Sequence, residues 1–213
     1  MAGRVATSFV GSAARRWDKP GNAGPVTEAD LAVNAYLETV LRSARPDYGW
    51  LSEETEDSSD RLSRDTVFII DPIDGTRSFV EGSNTWAHSI AVAEHGIITA
   101  AVVYLPMRKK LYAAALGQGA TLNGTPIHAS NEPSLAAATV LAARPALLTH
   151  HWKAAAAPTF KRSYRPSLAY RLALVAEGRF EAMITLRHSW EWDIAAGALI
   201  AAEAGGCAHD RTG

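Results

Sequence analysis

The chain has 213 residues, enough for one large domain or two small ones around a substantial core. With 47% hydrophobic and 20% charged residues the composition is that of a soluble globular protein; 21 basic side chains face 22 acidic ones, the net charge is -1, and neither sign gathers into a block, which argues against a nucleic-acid polymer or a membrane surface as partner. No apolar run is long enough to span a bilayer, and the single cysteine, Cys207, cannot close an internal disulfide, which fits a reducing, cytoplasmic compartment.

Val5, Phe9 and Ala13 recur every four residues and predict a first helix over Arg4 to Arg16, amphipathic rather than a signal peptide. Turn formers from Asp18 to Pro25 break it. A second helix is predicted from Thr27 to about Ala44, with Leu31, Ala35, Leu37, Val40 and Leu41 on one face and Thr27 and Asp30 forming an approximate capping box. Trp50 to Ser52 reads as a short strand running into Glu53 and Glu54, and the polar stretch Thr55 to Asp65 as a mobile loop.

Val67 to Ile70 is β-branched and aromatic, too short for a helix, and predicts a buried strand that stops where Pro72 withdraws a backbone donor. Asp71 is then delivered at the strand exit, Pro72 stiffens the turn, and Gly75 permits an unusual backbone conformation before a helix starts at Thr76. Two carboxylates, Asp71 and Asp74, sit in that turn beside the free N–H groups of Gly75 and Thr76. This arrangement suits divalent cations next to a phosphate, although turn chemistry and capping alone also account for two aspartates.

Trp86 to Glu94, Ile97 to Leu105 and Lys110 to Leu116 read as successive strands, with hairpin signals at His95-Gly96 and Asn123-Gly124, so an antiparallel sheet is expected in the first half. From about Ser130 the texture shifts to alanine-rich helices alternating with short strands: a strand at Thr139 to Ala143, a helix over Pro145 to Ala157, a helix capped by Ser167 and closed at Gly178, and a strand from Phe180 to Leu186. The adjacent His150 and His151 have no third ligand at a useful spacing and read as surface or packing residues. Asp193 sits where the N-cap of a last helix belongs.

Asp71-Pro72-Ile73-Asp74-Gly75-Thr76, Trp192-Asp193 with Ala195-Ala196-Gly197, and Glu53-Glu54 placed 18 residues before Asp71 together resemble the inositol monophosphatase family of magnesium-dependent phosphomonoesterases, in the family's order. Ser52 departs from the glycine that precedes the paired glutamates in that family. The resemblance implies a layered α-β-α-β-α sandwich of α+β and α/β type, with residues 1–129 an N-terminal α+β unit carrying most metal ligands and 130–213 a smaller α/β unit. The chain reads as short at both ends for the family, so an inactive metal-binding remnant stands as the alternative from another class.

The resemblance also implies two or three Mg2+ ions held by Glu53, Asp71, Asp74, Asp193 and the carbonyl of Ile73. It gives Thr76, paired with Asp30, and Glu53 the activation of the attacking water. Gly75, Thr76, Arg77 and Glu191 face the substrate. Arg77 and Glu191 resemble residues of bisphosphate nucleotidases. The expected substrates are thus 3'(2'),5'-bisphosphate nucleotides or inositol monophosphate, nearly equal, with histidinol phosphate third. A homodimer is expected from the same resemblance.

Overall fold

The computed structural model describes residues 1–10, 14–22 and 24–210. The first helix, α1, spans only Ala2–Thr7. It therefore ends well before Arg16, and Ala13 of the four-residue repeat lies outside the described residues. Arg16–Asp18 forms an extended strand instead, β1, which pairs antiparallel with β2 (Pro25–Thr27) and makes the turn-rich segment between them the tip of a hairpin. Helix α2 (Glu28–Ala44) begins at the expected cap, with Thr27 and Asp30 bonding reciprocally.

A seven-stranded sheet forms the centre: β3 (Gly49–Ser52), β4 (Thr66–Asp74), β5 (Ala87–Glu94), β6 (Ile97–Leu105), β7 (Lys110–Ala115), β8 (Ala120–Leu122) and β9 (Thr125–Ile127), in that spatial order. The hairpins make it antiparallel from β4 onward, as the turn signals required; β3 joins β4 in parallel, so the sheet is mixed. His95-Gly96 and Asn123-Gly124 both take positive φ, the backbone of tight hairpin turns. The segment Thr55 to Asp65 is not wholly irregular: Ser59–Ser63 winds into a 3-10 turn capped by the Ser58 hydroxyl, and Arg61 bonds Asp57.

Alternation along the central strands assigns the two faces. Trp50, Phe68, Ile70 and Trp86 pack against Ala29, Val33 and Leu37 of α2 and against α1. On the opposite face Leu51, Ile69, Ala91, Ala101 and Val103 meet α4 (Leu168–Ala176) and α5 (Glu191–Glu203). Beyond these helices lies a three-stranded parallel sheet, β11 (Lys161–Ser163), β10 (Thr139–Ala142) and β12 (Ala182–Ile184), in that spatial order. Leu141 of β10 belongs to the same core as Ile69 and Ile200. The result is a layered α+β fold: helix pair, mixed sheet, helix pair, small sheet.

Helices α4 and α5 cross closely because Gly197 has no side chain; a Cβ there would lie 2.6 Å from Leu172 Cβ. The expected helix over Pro145 to Ala157 is absent. Arg144–Leu147, Thr149–His151 and Lys153–Ala155 form three separate 3-10 turns. Alanine content favours a helix locally, but Ala143, Leu148 and Trp152 all adopt extended backbone between the turns, and Trp152 Nε1 bonds the Ala146 carbonyl.

Candidate active site

Strand β4 crosses the middle of the sheet, and its buried Phe68, Ile69 and Ile70 fix the height at which Asp71 emerges. The strand does not stop at Pro72. It continues to Asp74, and its register against β5 shifts on the way: Asp71 faces Ser89 and Asp74 faces Ala87, so Pro72 and Ile73 bulge from the ladder opposite one residue. A proline without an N–H is tolerated at such a bulge. Gly75 then turns the chain at φ 98, a conformation unfavourable for any residue with a Cβ, and α3 (Thr76–Val80) follows.

The bulge brings Asp71 and Asp74 together, and α5 delivers Asp193 to the same spot. Ligand oxygens of the three all lie within 4.8 Å of one another. Asp193 is not the N-cap of α5. It sits in the first turn at the third helical position, where Oδ2 accepts a bond from Trp190 N at 3.0 Å, and Trp190 occupies the cap. Asp74 Oδ2 accepts from Ser167 Oγ at 2.6 Å and from Ala169 N at 2.7 Å, which ties β4 to the start of α4. Asp71 Oδ1 is buried and has no hydrogen-bond partner among the described residues.

Three carboxylates this close, two of them buried and Asp193 half-buried, resist ionising together. Burial, then the charges of Glu53, Asp74 and Asp193, push Asp71 well above the ordinary carboxylate range. Burial also carries Asp74 up to about 6, against the bonds from Ser167 and Ala169. Burial raises Asp193, opposed by Trp190 N and Arg187. A divalent cation would relieve the crowding and give Asp71 Oδ1 its missing partner. The donors are all oxygen, which suits a hard cation and not zinc.

Glu53 stands next to this trio rather than in it. Its N–H donates to the Ile70 carbonyl at 3.1 Å, one residue past the end of β3, and its charge acts on Asp71. Its Oε1 is held by Lys19 Nζ at 2.9 Å, and the same ammonium bonds Glu54 Oε1 at 2.7 Å. Burial raises Glu54 to about 7. The two acids raise Lys19 above the usual lysine value although burial acts the other way.

Asp30 serves two purposes at once. Oδ2 accepts from Thr27 N and Thr27 Oγ1, completing the cap, while Oδ1 accepts from Thr76 Oγ1 at 3.0 Å. Thr76 Oγ1 also lies 3.2 Å from the Ile73 carbonyl. Gly75 is half-buried and Arg77 is exposed on α3. Glu191 is exposed at the start of α5 and lines a separate cavity of about 690 Å3 with Arg61, Leu51, Ile69 and Ile194.

Sequence reasoning missed four neighbours. Lys19 comes from the β1–β2 turn, Ser167 from the cap of α4, and Arg187 places Nη2 4.0 Å from Asp193 Oδ2. His88 bonds the Pro72 carbonyl from β5. Only Ser167 carried a signal, as a helix cap, and that signal pointed to structure.

A mixed sheet between helix pairs, with buried Asp71 and Asp74 meeting half-buried Asp193 beside a strand-turn-helix, is a site suited to a hard cation, and the protein's relatives give its class, the metal-dependent phosphomonoesterases. The family model described as "Inositol monophosphatase family" matches residues 2–213, and the chain belongs to that family. It is 34% identical over 200 residues to the Pseudomonas aeruginosa "Nus factor SuhB", covering 88% of this chain and 73% of that protein. It is also 34% identical over 211 residues to the Rhizobium meliloti "Inositol-1-monophosphatase", covering 91% and 74%. The crystal structure of suhB from Bartonella henselae superposes with a TM-score of 0.83 at 31% identity, covering 97% of this chain and 81% of the other. A Thermotoga maritima IMPase superposes with a TM-score of 0.82 at 30% identity, covering 96% and 79%.

Proposed function

We propose that this enzyme hydrolyses the phosphate monoester of a small phosphorylated metabolite by direct attack of water, with Mg2+ held by Asp71, Asp74, Asp193, Glu53 and the Ile73 carbonyl. The observation that carries the reading is the close aspartate trio, with an Asp71 oxygen that has no hydrogen-bond partner among the described residues. Two or three Mg2+ ions bound there would supply charge neutralisation at the phosphoryl group and a lowered pKa for water. The chain itself provides orientation. Asp30 accepts the Thr76 hydroxyl proton, which leaves the Thr76 oxygen as an acceptor to aim a water molecule. The N–H groups of Gly75 and Thr76 are assigned to the phosphate oxygens. Glu53 would help hold the cation if released from Lys19, which has Glu54 as a second partner. No nucleophilic serine or cysteine is needed, and Cys207 is exposed.

Inositol monophosphate is the favoured substrate, because a relative spanned over 74% of its length bears that name. A nucleotide phosphate is the second reading. It is supported by the stacked Trp190 and Trp192 rings, 5.0 Å apart beside Asp193, and by a neighbour of 27% identity described as "2'AMP bound SaIMPase-II". Arg187, 4.0 Å from Asp193 Oδ2, and the exposed Arg77 would then help sort substrates. Residues 1–129 act in this reading as the unit that carries most ligands, and 130–213 as the unit that closes the site through Asp193. A cytoplasmic homodimer, as the family resemblance implies, completes the reading.

Phosphate release from inositol monophosphate, adenosine 3',5'-bisphosphate and histidinol phosphate, each with and without Mg2+, tests the reading. Mg2+-dependent release with inositol monophosphate as best substrate is expected. Preference for the bisphosphate would favour the second reading, and no release from any ester by a folded, Mg2+-binding protein would favour a remnant without activity.

A further inference from the structure

Strand β5 pairs with β4 on both sides of the bulge, through Ser89 to Asp71 and through Ala87 to Asp74. His88 alone lies across from two residues of β4, Pro72 and Ile73, one more than a regular ladder would place there. The Pro72 carbonyl bonds the His88 ring, Nδ1 standing 2.5 Å away. A carbonyl only accepts, so Nδ1 carries the proton, and in the neutral ring Nε2 is left as an acceptor. That nitrogen is buried and has no hydrogen-bond partner among the described residues.

The setting makes a histidine an unfavourable choice for packing alone. His88 is 1% exposed and sits between Trp86 and Tyr104, with ring centroids at 5.6 and 6.1 Å. Trp86, just before β5, and Ile90 and Val92 on it, at alternate positions, belong to the apolar layer under α1 and α2. A β-branched apolar residue would fill this place with no unsatisfied nitrogen. What the imidazole contributes, and an apolar side chain cannot, is a fixed direction for the one peptide carbonyl that follows Asp71 and precedes Ile73.

We infer that His88 is a positioning residue for the cation site: by anchoring the Pro72 carbonyl it sets the bulge, and the bulge sets how Asp71 and Asp74 present their carboxylates. His88 touches neither substrate nor the aspartates; it acts through the backbone between them. The inference rests on the metal reading given above, and its test separates the two.

Calorimetric titration of EDTA-stripped protein with MgCl2 is the measurement. His88→Val, which removes the donor and suits a strand, should bind Mg2+ roughly tenfold more weakly, as loss of a supporting group does at other metal sites, while His88→Asn, whose side-chain nitrogen falls near the Nδ1 position, should stay within about threefold of wild type. A residue that only filled space would lower the melting temperature without this split. A folded His88→Val with wild-type Mg2+ affinity overturns the inference. If the valine variant does not fold, His88→Gln is compared with His88→Asn: weakened binding in the glutamine variant alone supports the role, and wild-type affinity in both overturns it. Wild-type protein that binds no Mg2+ would overturn the metal reading and this inference together, an outcome distinct from unchanged affinity in the variants.

Discussion

Asp74 joins three things in one side chain: the bulge of β4, the cap of α4 and the aspartate trio. Its Oδ2 is fully occupied by Ser167 and Ala169, which leaves Oδ1 for a cation. An amide at this position can keep an acceptor for α4 while removing the charge. Asp74→Asn should therefore fold, with a metal-free melting temperature no lower than wild type because repulsion from Asp193 and Asp71 is relieved, and should lose at least about a hundredfold in Mg2+-dependent phosphate release. Melting scans in EDTA and a phosphate assay at saturating Mg2+ check the two halves. Among single residues, Asp71, Asp74, Asp193 and Glu53 were singled out by the family motifs they stand in; turn and cap chemistry alone read Asp71 and Asp74 as turn residues and put Asp193 at an N-cap that Trp190 occupies. Lys19 was not, since a lone lysine among turn formers gives no hint that it will meet Glu53 across 34 residues. His88 was hidden for a similar reason: a histidine in a strand is ordinary until the register shows which peptide it faces.

At the scale of elements, strands and hairpins were the most legible part. Period-two patterning and positive-φ turn residues are local properties, and β5, β6 and β7 fall within a residue or two of expectation. The failures are where local preference lost to context. Val5 and Phe9 extend a helical pattern that α1 abandons after Thr7, and the alanines after Pro145 break into short turns. Pro72 was expected to end β4, but a bulge absorbed it. The crossing of α4 and α5 was invisible in sequence because nothing local marks Gly197 as a contact point rather than a weak helix former. Gly197→Val puts methyl groups into the Leu172 side chain, and since a Cβ alone would already lie 2.6 Å from Leu172 Cβ, it should destabilise the protein by roughly 1–3 kcal/mol. Urea unfolding, read as a lower midpoint at unchanged slope, measures this; an unchanged midpoint would mean the helices shift apart without loss.

At the scale of the molecule, carboxylates buried this close cost stability unless a cation neutralises them. Helices from both faces and strands from the centre converge to bury carboxylates that repel one another, and a fold of this size can hold them because its two apolar cores are extensive. In the absence of metal, the folded protein keeps protons on Asp74, at about 6, and on Glu54, at about 7, that the unfolded chain has already released near pH 4. Stability from these raised groups is fully present below about pH 4 and is lost as the pH climbs through 6 to 7; for Asp74 alone the change is roughly 3 kcal/mol.

Melting of EDTA-stripped protein across pH 5 to 8, repeated with excess Mg2+, reads this directly. The melting temperature without metal should fall by on the order of 5–10 °C over that range, and Mg2+ should restore it most at the alkaline end, where the carboxylates are free to bind. A melting temperature that stays flat with pH and does not move when Mg2+ is added would contradict a cation site at Asp71, Asp74 and Asp193.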